Sequence, residues 1–510
     1  MNARPLDLLL VNAPGKAHVY QSLATDLAAY EPPIWATLIA GYVRRAGYGV
    51  AILDAEALRM TIDETARAIV DCKPRLTVFT VYGQQPSAST QCMPAAGAVC
   101  RQVKALDQSL PTLFLGTHPS ALPERTLLDE ATDFVCEGEG PLTILAILEA
   151  FSSSAPAFDR VPGLWYRDKY FTRHTPPAAT IKDLSTLAGM AWDLLPMAAY
   201  RAHNWHCFDH VDQRSGYASI YTSFGCPYRC TFCCINAPFG GSSIRYFSPE
   251  LIIREIDELV QKYGVRNLKI ADEMFVLNQQ HVLGLCDLLI ERNYGLNIWA
   301  YARIDTVHEK FLDRLKRAGF NWLGIGIESA SKFVRDGVDK GRFSDEKIAG
   351  IVNRIRQAGI YVGANYIFGL PDDTLETMQN TLDMALELNT EWANFYSAMA
   401  YPGSALHATA SSQQVVLPEH PGGPGWIGYS QHAYETLPLS TAAVPAGAVL
   451  SFRDHAFDAY FRSERYRAMM LATFGPTAVA HVDAMATHTL RRKYAVPFAQ
   501  SSQTAPVLAN

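Results

Sequence analysis

Short aliphatic or β-branched runs alternate with longer helical stretches twice along this chain, once before residue 152 and again after residue 216. Such a rhythm specifies parallel strands, because a parallel pair needs a crossover connection rather than a tight hairpin. The first block places strands at 7–12, 50–54, 76–82, 112–116 and 134–137, with helical patterns at 35–43 and 61–70. Five strands so connected predict an α/β, flavodoxin-like doubly wound domain over 1–152. The second block predicts six βα units, with strands at 219–223, 267–271, 298–302, 322–327, 361–368 and 392–398. Six units are too few for a closed (β/α)8 barrel, so a partial (β/α)6 TIM-type barrel, open on one side, is expected over 216–410.

Residues 153–215 keep neither period and read as a linker containing a hairpin at 163–171, with Trp192, Trp205 and Phe208 as interface core. Beyond the Pro/Gly-rich stretch 418–425, helical patterns at 446–474 and 477–494 predict a small helical C-terminal domain over 411–510 that covers the open side of the barrel. Tyr429, Gln431, His432 and Tyr434 precede those helices, within reach of a substrate but with packing as their default role.

In both kinds of sheet, ligands gather beyond the carboxyl ends of the strands. In the barrel block those ends carry Asp272 and Glu273, Arg303 and Asp305, and Glu328. In the first block they carry Tyr82, Gly83 and Gln84, then Gly116, Thr117 and His118, and then Gly138 and Glu139. The first barrel strand leads into Phe224-Gly225-Cys226-Pro227-Tyr228-Arg229-Cys230-Thr231-Phe232-Cys233, a C-x3-C-x2-C spacing. Structural zinc sites close with four ligands in two pairs, and no second pair stands near this run. A four-iron cluster normally takes four cysteines, so three leave one iron open to a small molecule. Cys234, adjacent to Cys233, reads as a buried neighbour.

The three-cysteine spacing, with Phe232 beside its last member, resembles the signature of the radical S-adenosylmethionine (SAM) family. The preceding sheet domain, with its Gly116-Thr117-His118-Pro119 and Glu137-Gly138-Glu139-Gly140 segments, resembles the cobalamin-binding domain of B12-dependent radical SAM proteins. The resemblance implies a [4Fe–4S] cluster on Cys226, Cys230 and Cys233, and SAM held by Phe232, Asp272 or Glu273, Arg303 and Glu328. It also implies cobalamin near Tyr82, Gly83, Gln84, Gly116, Thr117, His118, Gly138 and Glu139. Two departures stand out. Ala271-Asp272-Glu273 replaces the family's Gly-Gly-Glu, and the D-x-H-x-x-G motif that supplies a cobalt-ligating histidine is absent, His18 having no aspartate two residues before it. The implied activity is reductive cleavage of SAM with methyl transfer through methylcobalamin to a carbon of a small-molecule or carrier-linked substrate. A B12-dependent cyclase or rearrangement enzyme is the enzymatic alternative, and a cobalamin-binding sensor or carrier without turnover the non-enzymatic one. No catalytic acid or base is singled out.

A formal net charge of -6 gives no electrostatic footprint for nucleic acid. No apolar run is long enough to span a bilayer and no leader precedes the first strand. Ten cysteines without a secretory signal suit reduced thiols in the cytoplasm. The expected partner there is an external electron donor such as flavodoxin or ferredoxin.

Overall fold

A computed structural model of the chain describes residues 6–83, 85–169, 171–341 and 343–498. The first block forms a sheet from β1 (Leu8–Asn12), β2 (Val50–Asp54), β3 (Leu76–Val81), β4 (Thr112–Gly116), β5 (Phe134–Cys136), β6 (Leu164–Asp168) and β7 (Phe171–His174), in the order β2-β1-β3-β4-β5-β6-β7. The first five strands are parallel and follow the flavodoxin-like order. Both faces are covered, as parallel sheets require. Leu8, Leu10, Leu113 and Leu115 pack with Ile39, Val43 and Ile147 on one face. Leu9, Val11, Phe79 and Phe114 pack with Ile69, Val99 and Val103 on the other.

The hairpin at 163–171 is not free linker. β6 and β7 pair antiparallel onto β5, with Trp165 opposite Val135, and Trp165 Nε1 donates to Glu137 at 2.7 Å. Without them β5 would present an unpaired edge.

The second block contributes β8 (Tyr217–Ile220), β9 (Ser223–Phe224), β10 (Arg245–Tyr246), β11 (Asn267–Ile270), β12 (Asn297–Arg303), β13 (Phe320–Glu328), β14 (Tyr361–Phe368) and β15 (Trp392–Ser397). β9 and β10 make a small antiparallel ladder, while the others form a six-stranded sheet in the order β15-β14-β13-β12-β11-β8, open between its first and last members. The first barrel strand ends at Ile220, three residues earlier than expected, because Thr222 and Ser223 turn aside to bind Asp272. At the amino ends of the strands Trp205 packs against Trp299, Trp322 and Trp392 at 5.0, 5.3 and 6.1 Å between ring centroids. The segment before the barrel therefore plugs its lower end, leaving the carboxyl ends for a ligand.

Among the described residues the C-terminal helices are three, Ala446–Phe461, Glu464–Phe474 and Pro476–Ala486, and the last stops eight residues short of the expected end. Ser463 breaks the first long pattern by accepting from Tyr466 N–H as an N-cap, and Gly475-Pro476 separates the last two helices. The first of them lies along the outer side of β15, where Arg453 Nε donates to Phe395 O at 2.8 Å. It is Glu31, from the N-terminal unit, that reaches the barrel interior: its buried carboxylate accepts from Lys269 Nζ on β11 at 2.9 Å. Among the described residues no helix is long and apolar enough to cross a membrane.

Candidate active site

The cysteine loop is anchored at several points before any cofactor is considered. Gly225 has φ +84°, and a Cβ there would sit 2.4 Å from Ser243 O, so only glycine admits the turn that launches Cys226. The Asn236 side chain brackets Cys226, accepting from its N–H at 3.3 Å and donating to its carbonyl at 3.2 Å. Thr231 N–H donates to Val338 O at 3.1 Å, and Thr231 O accepts from Leu406 N–H at 2.8 Å. Cys226, Cys230 and Cys233 all face one cavity of about 220 Å³. Burial pushes the Cys226 thiol up to about 11, a preference for the neutral form that a bound metal reverses. Among the described residues no three such side chains converge on a single ion position. A cluster does not ask that of them, since each cysteine takes a different iron. Cys234 is buried behind the loop and also touches the cavity.

Of the two acidic neighbours after β11, only Glu273 lines the cavity. Asp272 is turned away and fully engaged: it accepts from Thr222 N–H at 2.6 Å, Thr222 Oγ at 2.5 Å and Ser223 Oγ at 2.6 Å. Thr222 Oγ also meets His281 Nε2 at 2.8 Å. Asp272 therefore holds the strand end that leads to the cysteines. Burial pushes the Asp272 carboxyl up to about 6, against the pull of these donors, and the Glu273 carboxyl up to about 7.

Arg303 lies over the Tyr228 ring at 4.2 Å, donates to Asp305 at 2.7 Å, and brings Nη1 within 3.5 Å of Cys230 Sγ. Glu328 adopts a left-handed backbone (φ +69°) where β13 slips register against β14. Its Oε1 accepts from Lys340 Nζ at 2.6 Å, and both side chains are buried. Burial pulls the Lys340 ammonium down, yet the Glu328 carboxylate offsets this and leaves it above its ordinary value. Gly326 makes room for the pair, since a Cβ there would lie 2.5 Å from Glu328 Oε1 and 2.7 Å from Lys340 Nζ. Phe232 lines the cavity and packs against Val334, Val338 and Leu370.

The opposite wall comes from the N-terminal unit, through Gln85, Pro86 and Ser87 after β3. Tyr82, Trp35 and Phe224 stack in series, at 4.9 and 4.8 Å between centroids, and so couple this loop to the residue two before Cys226. Tyr82 and Gly83 also line a second cavity of about 120 Å³, with Lys16, Glu31 and Glu56. Thr117 borders a narrow space between the two.

The remaining cobalamin candidates stand elsewhere. Gly116 packs on the Val81 backbone. His118 is buried at 3.3 Å from Thr90 Oγ1 and edge-on to Trp426, and burial lowers its pKa to about 3. Gly138 exchanges hydrogen bonds with Ser120, and Glu139 pairs with Arg245 and accepts from Ile181 N–H. Gln84 lies outside the described residues. Among the described residues no histidine lines these three spaces.

Lys340, Tyr301, Asn365 and Tyr396 line the main cavity without having been singled out from sequence, and Gln431, of the four residues named before the C-terminal helices, lines it too. The strand residues had a detectable signal: Tyr301 precedes Arg303 by two on β12 and so shares its inward face. Lys340 had none, because it arrives from a loop.

Two family models match the chain: the B12 binding domain over residues 20–148 and the Radical SAM superfamily over residues 220–385. An uncharacterized methyltransferase of Pyrococcus horikoshii is 27% identical over 413 residues, covering 81% of this chain and 84% of that protein. The anaerobic magnesium-protoporphyrin IX monomethyl ester cyclase of Rubrivivax gelatinosus is 26% identical, covering 76% and 68%. The solved structure of the radical SAM methyltransferase TsrM from Kitasatospora setae, with cobalamin and a [4Fe–4S] cluster bound, superposes with a TM-score of 0.65 at 18% identity, over 89% of this chain and 90% of that one. The matched domains bring a [4Fe–4S] cluster, SAM and cobalamin as cofactors, together with a small-molecule substrate and a reductant. The chain belongs to the radical SAM enzymes that carry a B12-binding domain.

Proposed function

We propose that this enzyme moves a methyl group from SAM to a carbon atom of a small-molecule or carrier-linked substrate. The observation that carries the reading is the shared cavity: the three cysteines form one wall and residues 85–87 of the B12-binding unit form another. One-electron cleavage of SAM and carriage of the methyl group are the chemistry that the bound cofactors supply. The chain's own residues hold, orient and desolvate. Cys226, Cys230 and Cys233 each take one iron, and Phe232 shields that side from water. Glu273 receives the SAM amino group and Arg303 the carboxylate, for which a guanidinium offers paired donors. Glu328, held by Lys340, meets the ribose hydroxyls. Tyr82, Gly83 and Thr117 face cobalamin, while Gly116, His118, Gly138 and Glu139 support the loops behind it. Among the described residues no histidine lines those walls. A cytoplasmic flavodoxin or ferredoxin supplies the electron.

The relatives named as cyclases support ring formation as a second reading. Protein reconstituted anaerobically and given SAM with a deuterated methyl group separates the two. Methyl transfer predicts S-adenosylhomocysteine together with 5′-deoxyadenosine, and a product heavier by one labelled methyl in place of hydrogen. Formation of 5′-deoxyadenosine with an unlabelled product and no S-adenosylhomocysteine would favour the cyclase.

A further inference from the structure

Among the described residues, Arg303 is the one charged side chain that donates a hydrogen bond to a cysteine of the trio. Its donors are divided. Nε donates to Asp305 at 2.7 Å, and Nη1 to Cys230 Sγ at 3.5 Å, sulfur being a larger acceptor than oxygen. The guanidinium is carried over the ring of Tyr228, itself part of the cysteine loop, at 4.2 Å. Gly341 (φ +125°) keeps the remaining end clear, since a Cβ there would lie 3.0 Å from Nη2. The other two cysteines are met by backbone donors, Cys226 by Tyr228 N–H and Cys233 by Ile235 N–H. The Cys230 thiol donates in turn to Asp339 O at 3.6 Å, a contact that ends when iron displaces the proton. Lys340, the other cation near Cys230, is tied to Glu328 at 2.6 Å.

We infer that Arg303 raises the reduction potential of the cluster, acting through Cys230 by a charge-assisted N–H···S hydrogen bond that stabilises the reduced form. On reduction the external donor gives up one electron and the cluster gains it, so the net charge on the irons and their sulfurs falls by one unit. A donor aimed at a ligating sulfur and a buried positive charge beside it both favour that state, and hydrogen bonds to the sulfurs are among the features that set cluster potentials. Asp305 opposes only part of this. Its carboxylate is 28% exposed and the Arg303 side chain 6%, so water screens the acid more than the base. The same guanidinium leaves Nη2 for the SAM carboxylate, and one side chain thus serves both the electron-receiving site and its ligand. The inference rests on Cys226, Cys230 and Cys233 holding a four-iron cluster, and it gives Arg303 a role that precedes SAM binding.

The test is a potentiometric titration of protein reconstituted with cluster and cobalamin, without SAM. Dithionite sets the potential, and the electron paramagnetic resonance signal of the reduced cluster is read apart from that of cobalt. Arg303→Met is expected to shift the reduction equilibrium about tenfold toward the oxidised cluster, the worth of one charge-assisted hydrogen bond, which is a midpoint lower by about 59 mV for a one-electron couple. Iron per chain and far-ultraviolet circular dichroism verify that the variant keeps its cluster and fold. If it does not, Arg303→Gln replaces it, with a shift in the same direction expected. A midpoint unchanged or raised in a variant with full iron overturns the inference. SAM affinity, measured alongside by equilibrium dialysis, separates the two roles of the side chain: affinity lost at an unchanged midpoint leaves Arg303 a SAM ligand alone and overturns the inference too. A wild-type chain that takes up no four-iron cluster is a different failure, since it refutes the assignment of the three cysteines and the inference with it.

Discussion

Asp272 and Glu273 are adjacent, both acidic and both at the end of β11, yet they predict opposite phenotypes. Asp272→Asn replaces a carboxylate that accepts three short hydrogen bonds with an amide that must present a donor to one of them. Hydrogen bonds to a charged group contribute about 1.5–3 kcal/mol each and do not add fully, so the loss is about 3–5 kcal/mol, concentrated where Thr222 and Ser223 lead into the cysteine loop. Glu273→Gln leaves that framework untouched and removes one charge-assisted contact, which weakens SAM binding about 10- to 100-fold. Both variants are reconstituted anaerobically; iron per chain, thermal midpoint and SAM affinity by equilibrium dialysis are measured in each. Asp272→Asn is expected to lose iron and thermal stability, with SAM affinity falling only in proportion to the iron lost. Glu273→Gln is expected to keep both and lose affinity. The reasoning is refuted if Asp272→Asn retains its iron and midpoint but fails to bind SAM while Glu273→Gln binds it normally.

Gly326→Ala places a methyl group against the Glu328–Lys340 pair. Since both side-chain ends can shift, the fold should survive with iron intact while SAM affinity falls about tenfold, the worth of one displaced hydrogen bond. Lys269→Met removes the ammonium paired with the Glu31 carboxylate inside the barrel, leaving it the Ser219 hydroxyl at 3.3 Å and His203 at 3.6 Å, and should cost up to about 3–5 kcal/mol, seen as a lower thermal midpoint, whereas the double variant Glu31→Gln/Lys269→Met should recover most of it. A double variant no better than the single one would show that the pair is not the reason. Lys16 is buried beside the second cavity, and burial lowers its pKa to about 7. Between about pH 7 and the ordinary lysine value the unfolded chain binds the extra proton, so this residue makes stability rise with pH across that window. Thermal midpoints from pH 7 to 9 should therefore climb more steeply for the wild type than for Lys16→Met; equal slopes would refute the burial argument.

Much of the site could be read from sequence because its parts sit at strand ends. Cys226, Cys230 and Cys233 announce themselves by spacing, and Glu273, Arg303 and Glu328 by falling where a βα unit must turn toward its ligand. Asp272 could not be told from Glu273, since the answer depends on Thr222 and Ser223, fifty residues away in sequence. His118 follows a strand end in the first sheet and looked available, but Trp426, more than three hundred residues later, closes over it. Lys340 was unreadable for the same reason: it enters the cavity from a loop whose position is set by tertiary contacts, with no local period to betray it. The hairpin β6–β7 shows the converse case, in which two strands were legible but their attachment to β5 was not, because pairing partners are a property of the sheet edge.

A shared cavity for two cofactors is tested most directly by metal analysis coupled to a mixing experiment. Protein purified anaerobically with cobalamin is expected to hold about four irons and about one cobalt per chain, and on reduction its cluster electron paramagnetic resonance signal should change when SAM is added. The Cys226→Ala/Cys230→Ala/Cys233→Ala variant should lose the iron, keep the cobalt and leave SAM uncleaved. Iron retained in that variant, or a wild-type signal blind to SAM, would contradict an open iron at this clip.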